Sequence, residues 1–209
     1  MTAKDNIQIR RETPADYRAV EELTREAFWN VYRPGCSEHY VVHCLRDRPE
    51  FVPELDLVME RNGELIGHVL YVRAEIQADD GRRIPVMAFG PISIRPDCQR
   101  QGLGKVLLDE SLERARALGA GAICIEGNIG FYGKSGFVTA SPRGIHYFAE
   151  PREAEVPYFL VKELREGYLT GVTGIYRPPE GYFVEEADVE RFDAQFPPKE
   201  KLRLPGQLE

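Results

Sequence analysis

The sequence has no run of basic residues, no paired-cysteine motif and no long apolar stretch. Each absence closes a class of function. The chain carries 27 Lys and Arg against 34 Asp and Glu, a net charge of −7. Non-specific nucleic-acid binding needs a basic face, so no nucleic-acid partner is expected. No apolar run reaches the ~18 residues of a membrane span, and none is expected. Residues 1–9 are polar and include Lys4 and Asp5, which does not read as a signal peptide. The four cysteines, Cys36, Cys44, Cys98 and Cys124, show no C-x-x-C spacing. That argues against a disulfide framework or a zinc site and for reduced thiols in a cytoplasmic protein. Internal repeats and low-complexity segments are also missing.

What remains is a globular pattern. Hydrophobic residues make up 43% and charged residues 29% of 209 positions, enough for a sizeable core. Ile7 to Arg10 alternates as a strand. Thr13-Pro14 predicts the start of a helix reaching about Trp29, and Ser37-Glu38 opens a second one that ends before Pro49. Leu55 to Glu60 and Leu65 to Ile76 read as strands joined by a turn at Asn62-Gly63. Asp79-Asp80-Gly81 turns the chain into a third strand, Ile84 to Ile94. Pro91 inside it lacks a donor, which predicts a bulge or a break in pairing.

The stretch Ala88 to Leu118 organises the rest. A strand enters the turn Arg95-Pro96-Asp97-Cys98-Gln99-Arg100-Gln101, which closes on Gly102-Leu103-Gly104 at the start of a long amphipathic helix. The first N–H groups of a helix lack partners within it, and the peptide dipoles favour negative charge there. Arg100 and Lys105 flank the turn. The stretch therefore reads as an anion site or as a tight turn with two permissive glycines. After Gly119, Ala122 to Glu126 is a short apolar strand. A helical crossover makes it parallel to the strand before that helix. A short helical segment follows around Phe131 to Lys134, then strands from Phe137, near His146 to Phe148, and within Val156 to Leu164. The tail from Gly167 is rich in Gly, Pro and aromatics. The expected class is α+β, with a domain over 1–165 and a C-terminal extension, 166–209, packing on the same domain.

Two nucleotide motifs fail. G-x-x-x-x-G-K-[ST] would need glycine at Gln99 and Ser or Thr at Val106. The strand–helix repeat of a dinucleotide fold is missing.

Three features together resemble the GNAT (GCN5-related N-acetyltransferase) superfamily. They are the turn Gln99-Arg100-Gln101-Gly102-Leu103-Gly104, the approach strand Gly90-Pro91-Ile92-Ser93-Ile94-Arg95-Pro96-Asp97, and the segment Tyr132-Gly133-Lys134-Ser135-Gly136-Phe137. Glu38-His39, Leu45-Arg46 and the stretch Pro157-Tyr158-Phe159 to Gly167-Tyr168-Leu169 bring the chain nearest to the YhbS-like acetyltransferases. The resemblance implies a mixed, mostly antiparallel sheet with a central splayed parallel pair and flanking helices. It implies acetyl-CoA as donor and direct acetyl transfer to a primary amine, with no metal and no covalent role for Cys98 or Cys124. The pyrophosphate falls to Gln99, Arg100, Gln101, Gly102, Leu103, Gly104 and Lys105, and the pantetheine arm to the strand edge Ile92, Ser93, Ile94. Asn128 is a further CoA contact or a brace for the short helix. Tyr132 is the expected proton donor to the departing thiolate, with a packing role as the plain alternative. Glu126 is the expected base, or a structural hydrogen-bond partner, with His68 as a weaker candidate. Glu38 and His39, with His43 one turn on, fall in the segment that borders the acceptor pocket. Dimers are common in the superfamily, so a homodimer is compatible. A non-catalytic acyl-CoA-binding module on the same fold is the other reading left open.

Overall fold

A computed structural model describes residues 6–208. Residues 1–5, which hold part of the segment read against a signal peptide, and Glu209 lie outside the described residues. The elements run β1 (Ile7–Arg11), α1 (Tyr17–Phe28), α2 (Glu38–Leu45), β2 (Leu57–Arg61), β3 (Glu64–Ala78), β4 (Arg83–Ile94), α3 (Leu103–Ala117), β5 (Ala122–Glu126), α4 (Ile129–Tyr132), β6 (Val138–Thr139), β7 (Ile145–Tyr147), β8 (Phe159–Glu163), β9 (Gly174–Tyr176) and α5 (Glu186–Asp193). The strand order is β1-β2-β3-β4-β5-β8-β6, with β9 pairing β3 and β7. This is the mixed α+β sheet with flanking helices expected from the sequence. The pairs β1–β2, β2–β3, β3–β9, β5–β8 and β6–β8 are antiparallel, and β4–β5 and β7–β9 are parallel. The β4–β5 ladder consists of Met87↔Ile123 alone, as a splayed pair requires. Among the described residues no helix is long and apolar enough to cross a membrane.

The chain forms two compact units, and β3, β4 and α3 contribute residues to both. The first comprises residues 1–70, 91–107 and 180–209. In it, α1 buries Val20, Leu23 and Thr24, and α2 buries Val41, Val42 and Leu45. The hairpin between β2 and β3 turns on Asn62 (φ 55°) and Gly63 (φ 86°), the left-handed pair that an Asn-Gly turn supplies. The helix expected from Thr13-Pro14 starts later, at Tyr17. The Asp16 carboxylate accepts from the Thr13 N–H (2.9 Å) and hydroxyl (2.7 Å), so these residues close a turn ahead of the helix.

The tail from Gly167, rich in Gly, Pro and aromatics, contains a strand and a helix. Helix α5 buries Val189 and Phe192, and Arg18 stacks its guanidinium 3.6 Å from the centre of the Phe196 ring. The last residues return along the end of α1. Trp29 Nε1 donates to the Glu200 carbonyl (2.9 Å), and the Leu208 N–H to the Tyr32 carbonyl (2.8 Å).

The second unit comprises residues 71–90 and 108–179. Its core joins Val86, Cys124, Phe159, Val161 and Tyr176, with Leu169 and Val172 added from the segment after β8. Two glycines let the chain come close. A Cβ on Gly174 would lie 2.2 Å from the Gln77 carbonyl oxygen, and one on Gly121 would lie 2.4 Å from the Tyr168 ring. Gly90, immediately before Pro91, has φ 139°, so the irregularity expected at the proline falls on the residue ahead of it, in a strand assigned without interruption.

The first unit also buries charge. Arg46 is 4% exposed in its side chain and Glu12 0%. The Arg46 guanidinium donates to both Glu12 oxygens (2.7 and 3.0 Å) and to Glu21 Oε1 (2.9 Å). Removing one partner of such a set leaves the others buried and unpaired. Arg46→Ala is expected to destabilise the fold by about 3–5 kcal/mol, read as a lowered urea midpoint; an unchanged midpoint would show that the network contributes nothing.

Candidate active site

The turn after β4 is set by its backbone. The Arg95 N–H donates to the Ile66 carbonyl (2.8 Å), and a 3₁₀ turn at Pro96–Cys98 follows. Arg100 (φ 59°) and Gly102 (φ 83°) are both left-handed. A Cβ on Gly102 would meet nothing within 4 Å, so glycine is wanted there for its conformation rather than for space. Two glutamines brace the turn. Gln99 Nε2 donates to the Ile94 carbonyl (3.0 Å) and Gln101 Nε2 to the Asp97 carbonyl (3.0 Å), while Gln101 Oε1 accepts from Arg61 Nη2 (2.8 Å). The N–H of Lys105 reaches the Gly102 carbonyl at 3.1 Å. Before it, the N–H groups of Arg100, Gln101, Gly102, Leu103 and Gly104 have no acceptor among the described residues. Arg100, Gln101 and Gly102 are exposed. Successive donors without acceptors at the positive end of a 15-residue helix form a site for an anion.

Upstream, residues 92–94 lie past the end of the β4–β5 ladder. Ser93 is 1% exposed, and its hydroxyl donates to Thr24 Oγ1 (3.1 Å), so its side chain is structural.

In the second unit, Glu126 ends β5 with its side chain exposed. Its Oε1 accepts the Tyr147 hydroxyl at 2.6 Å. Tyr132 closes α4, half-buried among Phe131, Phe89 and Phe137, with ring centres 4.9, 5.8 and 5.7 Å away. Its ring lies against Gly127, where a Cβ would come within 2.2 Å of Tyr132 Cε2. Glycine at 127 is therefore a condition for the position of Tyr132, which the sequence reading missed. Asn128 caps α4 by accepting the Gly130 N–H (2.7 Å). That is the bracing role, one of the two expected for it. Gly136 takes φ 85° to end the following 3₁₀ turn, which accounts for the glycine of the Tyr132-to-Phe137 motif.

Two histidines depart from expectation. His39 is fully buried, with Phe192 and Phe196 at 5.4 and 5.2 Å and Asp193 Oδ1 3.1 Å from Nε2, so it lines no surface pocket. The aromatic residues covering it come from a tail that local pattern could not place there. His39 and His43 do not converge on a shared ligand, because His43 Nδ1 turns to Glu21 Oε1 (2.9 Å). His68 is neither surface nor a solvent-facing base: it is fully buried, with Nε2 2.8 Å from Asp56 Oδ1. Glu38 is half-buried, held by the Ser37 N–H (2.9 Å), and lines a cavity of about 380 Å³ with Tyr32, Arg33, Ser37 and Leu208.

Cys36, His39 and Asp193 have the outline of a thiol triad, with Cys36 Sγ 3.3 Å from His39 Nδ1. Burial works against that chemistry. It pushes the Cys36 thiol up to about 12 and the His39 imidazole down to about 4, so neither ion forms near neutral pH. Glu12, Asp56 and His68 bring donor atoms within 4.8 Å of one another, a set that suits a divalent cation. The Arg46 guanidinium already bonds both Glu12 oxygens, and a cation would have to displace it.

The model of the acetyltransferase (GNAT) family matches residues 19–137. The chain belongs to the acetyltransferase (GNAT) family. Membership makes it an acyltransferase by class. This GNAT chain is 26% identical over 167 residues to the uncharacterized N-acetyltransferase YhbS of Escherichia coli (strain K12), covering 80% of itself and 93% of that relative. It is 28% identical to the uncharacterized N-acetyltransferase YjhQ of the same organism over 86 residues, 41% of this chain and 46% of YjhQ. Its fold is that of the E. coli YhbS crystal structure in complex with CoA, with a TM-score of 0.74 at 24% identity over 87% of this chain and 94% of that one. A GNAT family acetyltransferase from Brucella melitensis in complex with acetyl-CoA gives a TM-score of 0.67 at 23% identity over 85% and 99%.

The buried carboxylates of this GNAT chain give its stability a pH dependence. Burial and a hydrogen bond to Asp56 raise Glu12 from 4.5 to about 8, against the pull of Arg46. Asp56 is raised too, by burial. The folded chain then holds a proton that the unfolded chain has lost, so this contribution to stability fades as pH rises towards 8. His39 and His68, pushed down to about 4 by burial, act in the opposite sense until the pH has risen through 6.5, and offset part of the fall just above it. Between pH 6.5 and 8 the unfolding free energy is therefore expected to fall by about 1 kcal/mol, and Glu12→Gln should abolish or reverse that slope in parallel urea titrations. A rising or level wild-type profile would contradict it.

Proposed function

We propose that this chain transfers an acetyl group from acetyl-CoA directly to a primary amine of a small molecule or peptide. The observation that carries the reading is the run of backbone N–H groups from Arg100 to Gly104 without acceptors at the start of α3. A pyrophosphate supplies the oxygens that such a row lacks. The CoA in the YhbS structure and the acetyl-CoA in the Brucella structure support the same donor here. The amide-rich pantetheine arm is assigned to the backbone of Ile92, Ser93 and Ile94, where it adds as a strand would.

In the proposed reaction the amine nitrogen attacks the thioester carbonyl. A backbone N–H near Ile92 polarises that carbonyl. The carbon–sulfur bond breaks, and the Tyr132 phenol gives its proton to the departing thiolate. Glu126 takes the proton that the ammonium form of the acceptor must lose. Asn128 serves the CoA wall indirectly, by capping α4. Glu38 and its cavity offer a carboxylate to a cationic acceptor. We assign the transferase to residues 1–165, with 166–209 as an extension packed on the same domain. We place the protein in the cytoplasm, where its free cysteines stay reduced.

Two variants test the reading separately. Gly104→Asp sets a side chain and a negative charge at the N–H row and is expected to abolish CoA binding in calorimetry; unchanged affinity would refute the pyrophosphate site. Tyr132→Phe is expected to lower amine-dependent thiol release at least about tenfold with CoA affinity kept, whereas equal release would leave Tyr132 a packing residue and favour a binding module. A third change reaches Tyr132 through its support. Gly127→Ala drives the ring off the backbone, so it should also lower turnover while sparing CoA affinity; turnover equal to wild type would separate the ring's position from catalysis.

A further inference from the structure

Glu126 is exposed at the end of β5, and no Lys or Arg among the described residues forms an ion pair with it. An exposed glutamate on three rotatable bonds ordinarily samples many positions, and holding it in one place costs side-chain entropy. Here one oxygen is held. The Tyr147 hydroxyl donates to Oε1 at 2.6 Å. Tyr147 cannot drift with it. Only 8% of the residue is exposed, and its ring is packed by Phe148 (5.1 Å), Phe159 (5.4 Å) and Tyr158 (5.7 Å). Burial and the facing carboxylate hold the proton on the Tyr147 oxygen, so it acts as a donor throughout the working range. The charged and titratable groups around the pair are the Tyr158 hydroxyl and Glu150, themselves joined at 2.8 Å. The outcome is a carboxylate with Oε1 occupied by a buried phenol and Oε2 without a partner.

We infer that Tyr147 is the positioning residue for Glu126, clamping Oε1 so that Oε2 is presented in one orientation to the acceptor amine. The inference rests on the reading of Glu126 as proton acceptor. In that step an N–H bond of the ammonium breaks and an O–H bond forms at Oε2. The nitrogen keeps the electron pair with which it attacks the acetyl carbonyl, and the proton later leaves Glu126 for water. Tyr147 exchanges no proton and acts only through Glu126.

The test is a double-mutant cycle on thiol release, with acetyl-CoA and 2-phenylethylamine, putrescine and ethanolamine as probe amines. Tyr147→Phe keeps the packed ring and removes the hydroxyl. It is expected to lower kcat about tenfold with KM for acetyl-CoA and thermal midpoint close to wild type. Glu126→Gln is expected to lower kcat at least as much. Adding Tyr147→Phe to Glu126→Gln should then cost less than about twofold more, because the clamp has nothing left to hold. 2,2,2-Trifluoroethylamine, an acceptor already largely neutral at pH 7.5, should lose little in either variant. Multiplicative losses in the double variant, or a fully active Tyr147→Phe beside an impaired Glu126→Gln, would overturn the positioning role. A fully active Glu126→Gln would overturn the reading of Glu126 itself, leaving the donor site to stand or fall with Gly104→Asp.

Discussion

A row of backbone N–H groups without acceptors is costly to keep, and much of the local sequence around α3 serves to keep it. The turn could relax by rotating these donors onto its own carbonyls. Gln99 and Gln101 prevent this by occupying the Ile94 and Asp97 carbonyls, and Arg61 fixes Gln101 from β2. The left-handed backbone at Arg100 and Gly102 completes the shape. Exposure makes the arrangement tolerable without ligand, since water can satisfy exposed donors. An anion does so with charge as well as hydrogen bonds, which is the physical basis for assigning CoA here.

The first unit meets a different constraint. It holds Arg46, Glu12, Glu21, Asp56 and His68 largely away from water. Such a set is expensive unless its hydrogen bonds are complete. Its geometry resembles metal and acid–base sites, and so does the Cys36–His39–Asp193 set beneath α5. In both, the decisive quantity is which groups can ionise. Burial holds His39 and His68 neutral and Cys36 protonated near neutral pH. These clusters support the fold and lend it a pH dependence, and they make poor reagents.

In the second unit aromatic packing sets the positions of two phenols. Tyr132 sits where Gly127 leaves room and Phe89, Phe131 and Phe137 hold it. Tyr147 is seated by Phe148 and Phe159 and faces Glu126. Rigid rings hold their hydroxyls at low conformational cost, so two phenols on one framework can serve different partners with little loss of order.

The sequence by itself determined the elements and the donor turn. Alternation, the Asn62-Gly63 turn and the Gly102 region place β2 to β5 and α3 within a few residues, because these signals act between neighbours in the chain. Family membership was legible for the same reason: the Gln99-to-Gly104 turn and the Tyr132-to-Phe137 segment are contiguous. The tertiary structure alone decided the fate of side chains whose partners lie far away in sequence. The family resemblance set His39 out as a candidate and strand position set out His68, and the structure buries one under Phe192 and Phe196 and the other against Asp56. Local pattern left Tyr147 unmarked, while the fold delivers its hydroxyl to Glu126, 21 residues away. Periodicity reports which face of an element is apolar. It carries no record of what the distant chain will set against that face, and burial and hydrogen bonding depend on that distant partner.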